Sequence, residues 1–191
     1  MTDIKQALSA LFTCEKSRLI LSEPMSLHTT FRIGGPARFF AVPGDERDLA
    51  ALIRLCGERD FPWAILGNGS NLLVDDEGYG GLVISLAENW GGCVQEGNCL
   101  RVGAGLLLPR AARAALAASL SGLEFASGIP GTIGGALTMN AGAYGREMKD
   151  VVRSVRVMAR DGQIRVLDRE ELGLGYRTSR IPKEGYVVLE A

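Results

Sequence analysis

The segment from Gly122 to Gly145 constrains this chain more than any other part of the sequence. Glycine recurs there among apolar neighbours with hardly a charge, at Gly128, Gly131, Gly134, Gly135, Gly142 and Gly145. Glycine serves where the backbone must turn sharply or approach another group closely. A disordered glycine-rich linker would be polar and low in complexity, whereas this segment is rich in Ile, Leu, Ala and Met. The pattern indicates buried, glycine-lined backbone against which a large ligand lies.

A second glycine-rich turn interrupts an apolar, strand-like run upstream. The run Trp63 to Leu66 breaks into Gly67-Asn68-Gly69-Ser70-Asn71 and then resumes, as extended structure, over Leu72 to Val74. Consecutive backbone N–H groups in such a turn can bind phosphate oxygens without a charged side chain. The third glycine of a Rossmann fingerprint is replaced by Leu72, and the lysine of a Walker loop is missing. The turn is therefore a candidate phosphate-binding loop of another kind.

Four sequence blocks carry a resemblance to a known family. They are His28-Thr-Thr-Phe-Arg-Ile-Gly-Gly-Pro-Ala37, Leu66-Gly-Asn-Gly-Ser-Asn-Leu-Leu73, Ile129-Pro-Gly-Thr-Ile-Gly-Gly135 with its continuation Asn140-Ala-Gly-Ala-Tyr-Gly145, and Gly175-Tyr-Arg-Thr-Ser179. One block alone could arise by chance, but the four follow one another in family order across about residues 25 to 190. The chain thus resembles the UDP-N-acetylenolpyruvoylglucosamine reductases, flavoenzymes of bacterial cell-wall precursor synthesis.

This resemblance implies the fold and its division. The fold class is α+β, specifically the two-subdomain FAD-binding fold of the vanillyl-alcohol-oxidase (PCMH) type, with FAD between the subdomains. Residues 1–24 would form an N-terminal helix and arm, residues 25–86 the first FAD-binding subdomain and residues 87–191 the second. A diphosphate in a cleft needs several N–H donors, and a planar tricyclic ring needs backbone with few side chains, so both glycine-rich segments suit FAD. Some flavoproteins of this fold bind the cofactor covalently through histidine, but His28 stands where the reductase family tolerates a polar residue, so noncovalent FAD is expected.

The resemblance also assigns roles to individual residues. Arg177 would be the catalytic cation that binds the substrate carboxylate and steadies enolate charge, and Tyr176 and Tyr144 would line the substrate side. His28 is expected to be structural rather than a direct ligand. The cofactor-binding residues would be Gly67, Asn68, Gly69, Ser70, Asn71, Ile129, Pro130, Gly131, Thr132, Gly134, Gly135, Asn140 and Gly142.

Several of these residues, and some of their neighbours, also have an interpretation without a role in binding or catalysis. Without the family match, Tyr176 and Arg177 read as an ordinary surface pair after the turn at Glu170-Glu171. Asn140 and Ser127 are residue types that are common in turns. Arg146 and Glu147 open a charged surface patch.

The activity implied by the resemblance is reduction of UDP-N-acetylglucosamine enolpyruvate to UDP-N-acetylmuramate, with NADPH as electron donor and the flavin as hydride carrier. Such a reaction serves cell-wall biogenesis, and through it cell shape and division. In that family a C-terminal region supplies a serine proton donor and a glutamate, and those blocks do not occur before Ala191. The chain is thus interpreted as the FAD-binding part of a longer enzyme or as a shortened relative. The alternatives are an FAD-binding electron-transfer subunit of a multicomponent oxidoreductase and a non-catalytic flavin-binding module.

Composition narrows the cellular setting. The net charge of −1 predicts no nucleic-acid partner, and no apolar run reaches membrane-spanning length. The start of the chain lacks the pattern of a signal peptide, so a cytoplasmic protein is expected.

The four cysteines show no CxxC pair or metal-ligand spacing, and a single histidine argues against zinc catalysis. We expect the thiols to be reduced and buried, although Cys93 and Cys99 could face each other across a hairpin.

Hydrophobic periodicity places the remaining elements. Helices are predicted over residues 2–13, from Asp45 with Asp48 in its first turn, over 110–119 behind Pro109, and over 132–139. Residues 17–28 are expected to form a covering arm. Strands are predicted over 39–42, 63–66, 81–86 and 186–190, with hairpins over 93–96 and 99–103 and over 151–160 and 163–168.

Overall fold

The computed structural model describes residues 3–191, which form two compact units. The first comprises residues 3–89 together with 160–163, and the second comprises residues 90–159 and 164–191. No helix within residues 3–191 is both long enough and apolar enough to cross a bilayer.

The first unit is built on a four-stranded sheet. Its elements are helix α1 (Ile4–Ser9), strands β1 (Arg18–Pro24) and β2 (Pro36–Val42), helix α2 (Glu46–Glu58), and strands β3 (Trp63–Leu66) and β4 (Tyr79–Ser85). The strand order is β1-β2-β4-β3, in which β2 and β3 both run parallel to β4. The strands predicted over 39–42, 63–66 and 81–86 are confirmed, with boundaries shifted by a few residues.

Two expectations for the N-terminal part of this unit are wrong. The helix predicted over 2–13 ends at Ser9, because the N–H groups of Thr13 and Cys14 donate to the carboxylate of Asp48 instead of continuing the helix; residue 2 lies outside the described residues. The predicted covering arm contains an edge strand, β1, which pairs antiparallel with β2 from Arg18↔Val42 onward. Three consecutive apolar residues at positions 19–21 hide the alternation by which a strand is recognised.

Helix α2 confirms its predicted boundary and its buried face. The side chain of Asp45 accepts a hydrogen bond from Asp48 N at 2.9 Å and so caps the first turn. The buried positions repeat at helical spacing: Leu49, Leu52, Ile53 and Cys56. Full burial of one such aliphatic side chain contributes about 1.5–3 kcal/mol, so this face holds the helix in the first unit.

The second unit contains a three-stranded sheet and two small hairpins. Its elements are β5 (Cys93–Glu96), β6 (Cys99–Val102), α3 (Leu108–Ala117), α4 (Ile133–Thr138), β7 (Gly142–Ala143), β8 (Arg146–Glu147), β9 (Ser154–Met158), β10 (Ile164–Asp168), α5 (Arg180–Glu184) and β11 (Val187–Glu190). The sheet order is β10-β9-β11, and Val155 and Val157 of the central strand are buried. Both predicted hairpins and the short helix after Thr132 are confirmed.

The cysteines depart from expectation in two respects. In the β5–β6 hairpin Cys93 lies opposite Val102, and Cys99 lies opposite Glu96, so the two thiols do not face each other. A two-residue turn at Gly97-Asn98 sets this register, which an estimate from sequence spacing alone did not resolve. All four cysteines are free, but Cys56 is buried whereas Cys93 is exposed.

Candidate functional site

The turn after β3 presents the first group of predicted cofactor-binding residues, Gly67, Asn68, Gly69, Ser70 and Asn71. Gly69 is buried with a φ of 60°, and its carbonyl oxygen accepts a hydrogen bond from Thr30 N at 3.2 Å. A Cβ atom at Gly69 would collide with the carbonyl oxygen of His28. Glycine is therefore required here both by the left-handed backbone and by the close approach of residues 28–30.

This turn has backbone N–H groups that are available to bind a ligand. Among residues 3–191, none accepts a hydrogen bond from the backbone N–H of Gly69, Ser70 or Asn71. Successive N–H groups in a turn of this kind form a concavity that suits the oxygens of a phosphate. The expectation of a strand directly after Asn71 is wrong. The chain instead runs beside Gly35, whose N–H donates to Asp75 O at 2.8 Å.

The side chain of His28 contacts Glu23 and Phe40. Its Nε2 atom lies 2.7 Å from Oε1 of Glu23, and its ring stacks on Phe40 with 4.2 Å between centroids. The carbonyl oxygen of the same residue is the atom that Gly69 approaches. These contacts agree with the structural role expected for His28.

The second group of predicted residues lies in the second unit and is hydrogen-bonded to residues 104–108, which lead into helix α3. Gly131 O accepts a hydrogen bond from Leu108 N at 2.8 Å, and Gly134 N donates to Ala104 O at 2.9 Å. Thr132 is buried and caps helix α4, because its Oγ1 accepts from Gly135 N at 3.4 Å. The backbone from Ile129 and Pro130 to Gly135 is therefore held in place by the protein itself.

The glycines of this block serve two different purposes. A Cβ atom at Gly134 would lie 3.2 Å from the Cβ atom of Ala104, so glycine there permits close packing within the unit. A Cβ atom at Gly128 would meet no atom within 4 Å, and Gly128 is exposed. A glycine in open space leaves the backbone bare, which is the surface that a planar ring needs for close approach.

These features fit FAD. In the first unit, the turn at residues 67–71 offers backbone donors of the kind that bind a pyrophosphate; in the second unit, the exposed residues Ser127 and Gly128 offer surface without large side chains. The predicted cofactor role of each residue stays a prediction.

Asn140 occupies a different kind of position from the rest of its block. It is 1% exposed and has a φ of 43°, a left-handed conformation that asparagine tolerates better than most residues. Its Nδ2 atom donates to Glu147 Oε2 and to Gly175 O, both at 2.9 Å, and its Oδ1 atom accepts from Lys149 N at 3.0 Å. Its carboxamide is thus used within the protein.

Tyr144 lies at the tip of the β7–β8 hairpin. Gly142↔Glu147 and Ala143↔Arg146 are the paired residues, which leaves Tyr144 and Gly145 as the two turn residues. Their φ angles of 54° and 76° define a type I′ turn, in which asparagine or glycine is the usual first residue. Tyr144 is 92% exposed.

Tyr176 and Arg177 form the tip of a second tight turn. Gly175 N donates to Thr178 O at 3.0 Å, and Thr178 N donates to Gly175 O at 3.3 Å. Tyr176 is 85% exposed, and the guanidinium carbon of Arg177 lies 6.0 Å from the centre of its ring. Arg177 has a φ of 53°, at the turn position where glycine is favoured.

Asn140 and both turns carry backbone strain. Three non-glycine residues with positive φ, Asn140, Tyr144 and Arg177, belong to one hydrogen-bonded neighbourhood of the second unit. Such conformations cost about 1–3 kcal/mol each and persist where the surrounding structure enforces them, often at functional sites.

Sequence reasoning missed the part played by Glu147, which it placed in a surface patch. Its carboxylate accepts from Asn140 and lies 2.6 Å from Nζ of Lys149. The hydrogen bond from Lys149, followed by that from Asn140, holds the pKa of Glu147 below its usual value. The spacing of Glu147 and Asp150, which form a capping box around the turn 148–150, is the signal that could have marked this position.

A separate cavity of about 640 Å³ lies within the second unit. It is lined by apolar residues such as Leu123 and Val152, with Arg101 and Arg153 among the polar ones. None of the predicted site residues lines it. This cavity is therefore distinct from the candidate site.

Comparison with known proteins places this geometry in a family. The profile of the FAD binding domain family matches residues 37–168. Among curated proteins, the UDP-N-acetylenolpyruvoylglucosamine reductase of Alkaliphilus oremlandii is 49% identical over 172 residues, which are 90% of this chain and 57% of that protein. The protein of the same name from Lachnoclostridium phytofermentans is 44% identical, and the match covers 98% of this chain and 61% of that protein.

Solved structures agree on the fold. The UDP-N-acetylenolpyruvylglucosamine reductase of Thermus caldophilus is 38% identical with a TM-score of 0.74, and the match covers 92% of this chain and 60% of that chain. The 6-hydroxy-D-nicotine oxidase of Arthrobacter nicotinovorans is 16% identical with a TM-score of 0.67, and the match covers 92% of this chain and 42% of that chain. This likeness shows the fold alone.

The chain spans about 60% of the length of the reductases that it matches. The expected α+β fold of the vanillyl-alcohol-oxidase (PCMH) type is confirmed, as is the resemblance to the reductases over the matched residues. The chain belongs to the FAD binding domain family and, within it, is similar to the FAD-binding part of the UDP-N-acetylenolpyruvoylglucosamine reductases.

Proposed function

We propose that this chain provides the flavin-binding part, and the substrate-binding arginine, of a UDP-N-acetylenolpyruvoylglucosamine reductase. The reaction would be NADPH-dependent reduction of UDP-N-acetylglucosamine enolpyruvate to UDP-N-acetylmuramate, in the cytoplasm, for peptidoglycan synthesis. The observation that carries the proposal is the strained turn that presents Arg177 and Tyr176, because it occurs in a chain 44–50% identical to proteins of that name.

The cofactor contacts follow from the fit described above. The N–H groups of Gly69, Ser70 and Asn71, together with Gly67 and Asn68, would hold the pyrophosphate of FAD. The segment from Ile129 to Gly135, together with Gly142, would line the rest of the cofactor. Bound FAD would supply the hydride that the reduction needs, which no amino-acid side chain can provide.

The residues of the second unit would bind and orient the substrate. The guanidinium of Arg177 is permanently cationic and can form two parallel hydrogen bonds to a carboxylate, so it suits the enolpyruvyl carboxylate. The same charge would stabilise negative charge as it develops on that group. Tyr144 and Tyr176, both exposed, would supply aromatic surface for the nucleotide sugar.

The first experiment is an absorbance spectrum of the 191-residue chain after incubation with FAD and desalting. We expect a retained, structured flavin band. A folded but colourless protein would contradict the proposed cofactor role of this chain.

The second experiment separates flavin binding from substrate binding. The FAD-loaded chain is titrated with the enolpyruvyl nucleotide sugar, and the Kd, followed through the flavin absorbance spectrum, is compared for the native chain, Arg177→Lys and the control Arg110→Lys on helix α3. We expect the Kd to rise about tenfold or more in Arg177→Lys, because lysine cannot form the two parallel hydrogen bonds that arginine makes to a carboxylate. The control and the flavin band should not change. A chain that holds FAD but never responds to the nucleotide sugar would be a flavin-binding module without this activity.

A further inference from the structure

We propose that Asn140 is a positioning residue, which holds the Tyr144 hairpin and the Arg177 turn together as one substrate-binding platform. The inference rests on the proposed function for the identity of the substrate. It differs from the expectation that Asn140 binds the cofactor directly.

The first step is that the side chain of Asn140 donates hydrogen bonds to both the Tyr144 hairpin and the Arg177 turn. One Nδ2 hydrogen bond of Asn140 goes to Glu147, the residue paired with Gly142 in the hairpin that carries Tyr144. The other goes to the carbonyl oxygen of Gly175, the residue directly before Tyr176. The two exposed tyrosines are therefore anchored, through short segments, to the same buried carboxamide.

The second step is that the arginine turn is held at both ends. Ser179, which is fully buried, donates from Oγ to Thr138 O at 2.7 Å, at the last residue of helix α4. Gly175, at the other end of the turn, accepts from Asn140, two residues after that helix. Residues 175–179 are thus fixed on the C-terminal end of α4, and Arg177 keeps its positive φ because both flanks are tied.

The third step is that the site needs asparagine rather than another residue. It requires two N–H donors, one acceptor and a left-handed backbone at the same position. Aspartate would place a carboxylate against both the Glu147 carboxylate and a carbonyl oxygen. Glycine would keep the backbone conformation but lose every side-chain bond.

Labelling with 3-fluorotyrosine tests the anchoring directly, because the chain has only four tyrosines, Tyr79, Tyr144, Tyr176 and Tyr186. Fluorine NMR spectra of the whole chain, assigned by single Tyr→Phe variants, are compared for the native protein, Asn140→Asp, Asn140→Gly and the control Asn98→Asp in the exposed β5–β6 turn. We expect the Tyr144 and Tyr176 signals to move in both Asn140 variants, while the Tyr79 and Tyr186 signals stay in place. Unchanged Tyr144 and Tyr176 signals would overturn the anchoring.

Ligand titrations then separate positioning from cofactor contact. In the Asn140 variants, we expect the Kd for UDP-N-acetylglucosamine enolpyruvate to rise about tenfold or more, since a misplacement of about 1 Å is costly, while the Kd for FAD stays within about twofold. An equal loss of FAD affinity would overturn the proposal and restore direct cofactor contact.

A milder variant keeps the test decisive if the Asn140 variants do not fold. Ser179→Ala releases only the far end of the arginine turn, so the Tyr176 signal should move while the Tyr144 signal does not. Movement of neither signal would overturn the two-ended anchoring. A native chain that ignores the nucleotide sugar would overturn the proposed function and the substrate part of this inference, whereas the fluorine spectra decide the anchoring separately.

Discussion

The carboxylate of Asp48, in the first turn of α2, accepts hydrogen bonds from both the backbone N–H and the hydroxyl of Thr13, at 3.0 and 2.8 Å. The same carboxylate accepts from Cys14 N at 3.1 Å and from Ser17 Oγ at 2.5 Å. A side chain that is 1% exposed therefore ties the segment between α1 and β1 onto helix α2.

Replacement of Asp48 by asparagine should destabilise the first unit. The amide group would turn an N–H donor toward Thr13, Cys14 or Ser17, all of which donate, and so leave buried donors without an acceptor. We expect the free energy of unfolding to fall by about 1–3 kcal/mol, measured by urea denaturation. Glu58→Gln, on an exposed position of the same helix, is the control and should change it by less than about 0.5 kcal/mol.

The same residue should contribute to acid sensitivity. Burial raises the pKa of Asp48, but the hydrogen bonds from Ser17, Thr13 and Cys14 outweigh burial and hold the pKa below its usual value. A group whose pKa is lowered on folding contributes stability that is full above the unfolded pKa of about 3.9 and is lost as pH falls through the folded pKa. The native chain should therefore lose stability below about pH 4 more steeply than Asp48→Asn; parallel curves in urea titrations at pH 3–6 would contradict this.

Substitution of Gly69 by alanine should weaken FAD binding. The new Cβ atom would collide with the carbonyl oxygen of His28 in a backbone conformation that costs about 1–2 kcal/mol for a side chain, so the turn at residues 67–71 must move. We expect FAD affinity, followed by flavin fluorescence quenching, to fall by about tenfold or more, or about 1.4 kcal/mol. Gly57→Ala in helix α2 is the matched control, because a Cβ atom there meets nothing within 4 Å; it should leave FAD affinity unchanged.

Replacement of Tyr144 by asparagine should stabilise the protein and weaken substrate binding. Asn-Gly is the preferred pair for a type I′ turn, and Tyr144, at 92% exposed, has little packing to lose. Relief of the left-handed conformation should raise the free energy of unfolding by about 0.5–1 kcal/mol in urea denaturation. The Kd for the enolpyruvyl nucleotide sugar should rise at the same time. If affinity stays at the native level, Tyr144 has no part in substrate binding.

The thiols should differ sharply in reactivity. Burial raises the pKa of the Cys56 thiol to about 11, so very little thiolate forms at pH 8, and the side chain is inaccessible as well. Cys93 is exposed on the edge of the β5–β6 hairpin. We expect a disulfide reagent such as DTNB to modify Cys93 well before Cys56, with peptide mapping to identify the products. Rapid labelling of Cys56 in the folded chain would show that helix α2 opens readily.

Local patterns predicted most of the elements correctly. Asp45 at the start of α2 was recognisable because a helix cap needs a side-chain acceptor at a fixed offset from the first free N–H groups. The buried face of α2 followed from helical spacing, and the β9–β10 hairpin followed from alternation and a turn at Asp161-Gly162. Non-local pairing is harder to predict: the sequence predicts an arm where β1 lies, because the partner strand β2 follows only after the intervening residues 25–35.

The sequence by itself determined which residues are candidates for the site. Gly67 to Asn71 and the block from Ile129 to Gly135 stand out through their glycine content, which is a local property that can be read without coordinates, and Arg177 was singled out by the resemblance of its block to the reductases. Tertiary structure alone decided how the second unit's residues are held. Asn140 contacts Glu147 and Gly175, the latter 35 positions along the chain, and only folding could bring these partners to 2.9 Å. Hydrogen bonding between distant segments depends on where the backbone goes, and that path is set by the packing of the whole unit.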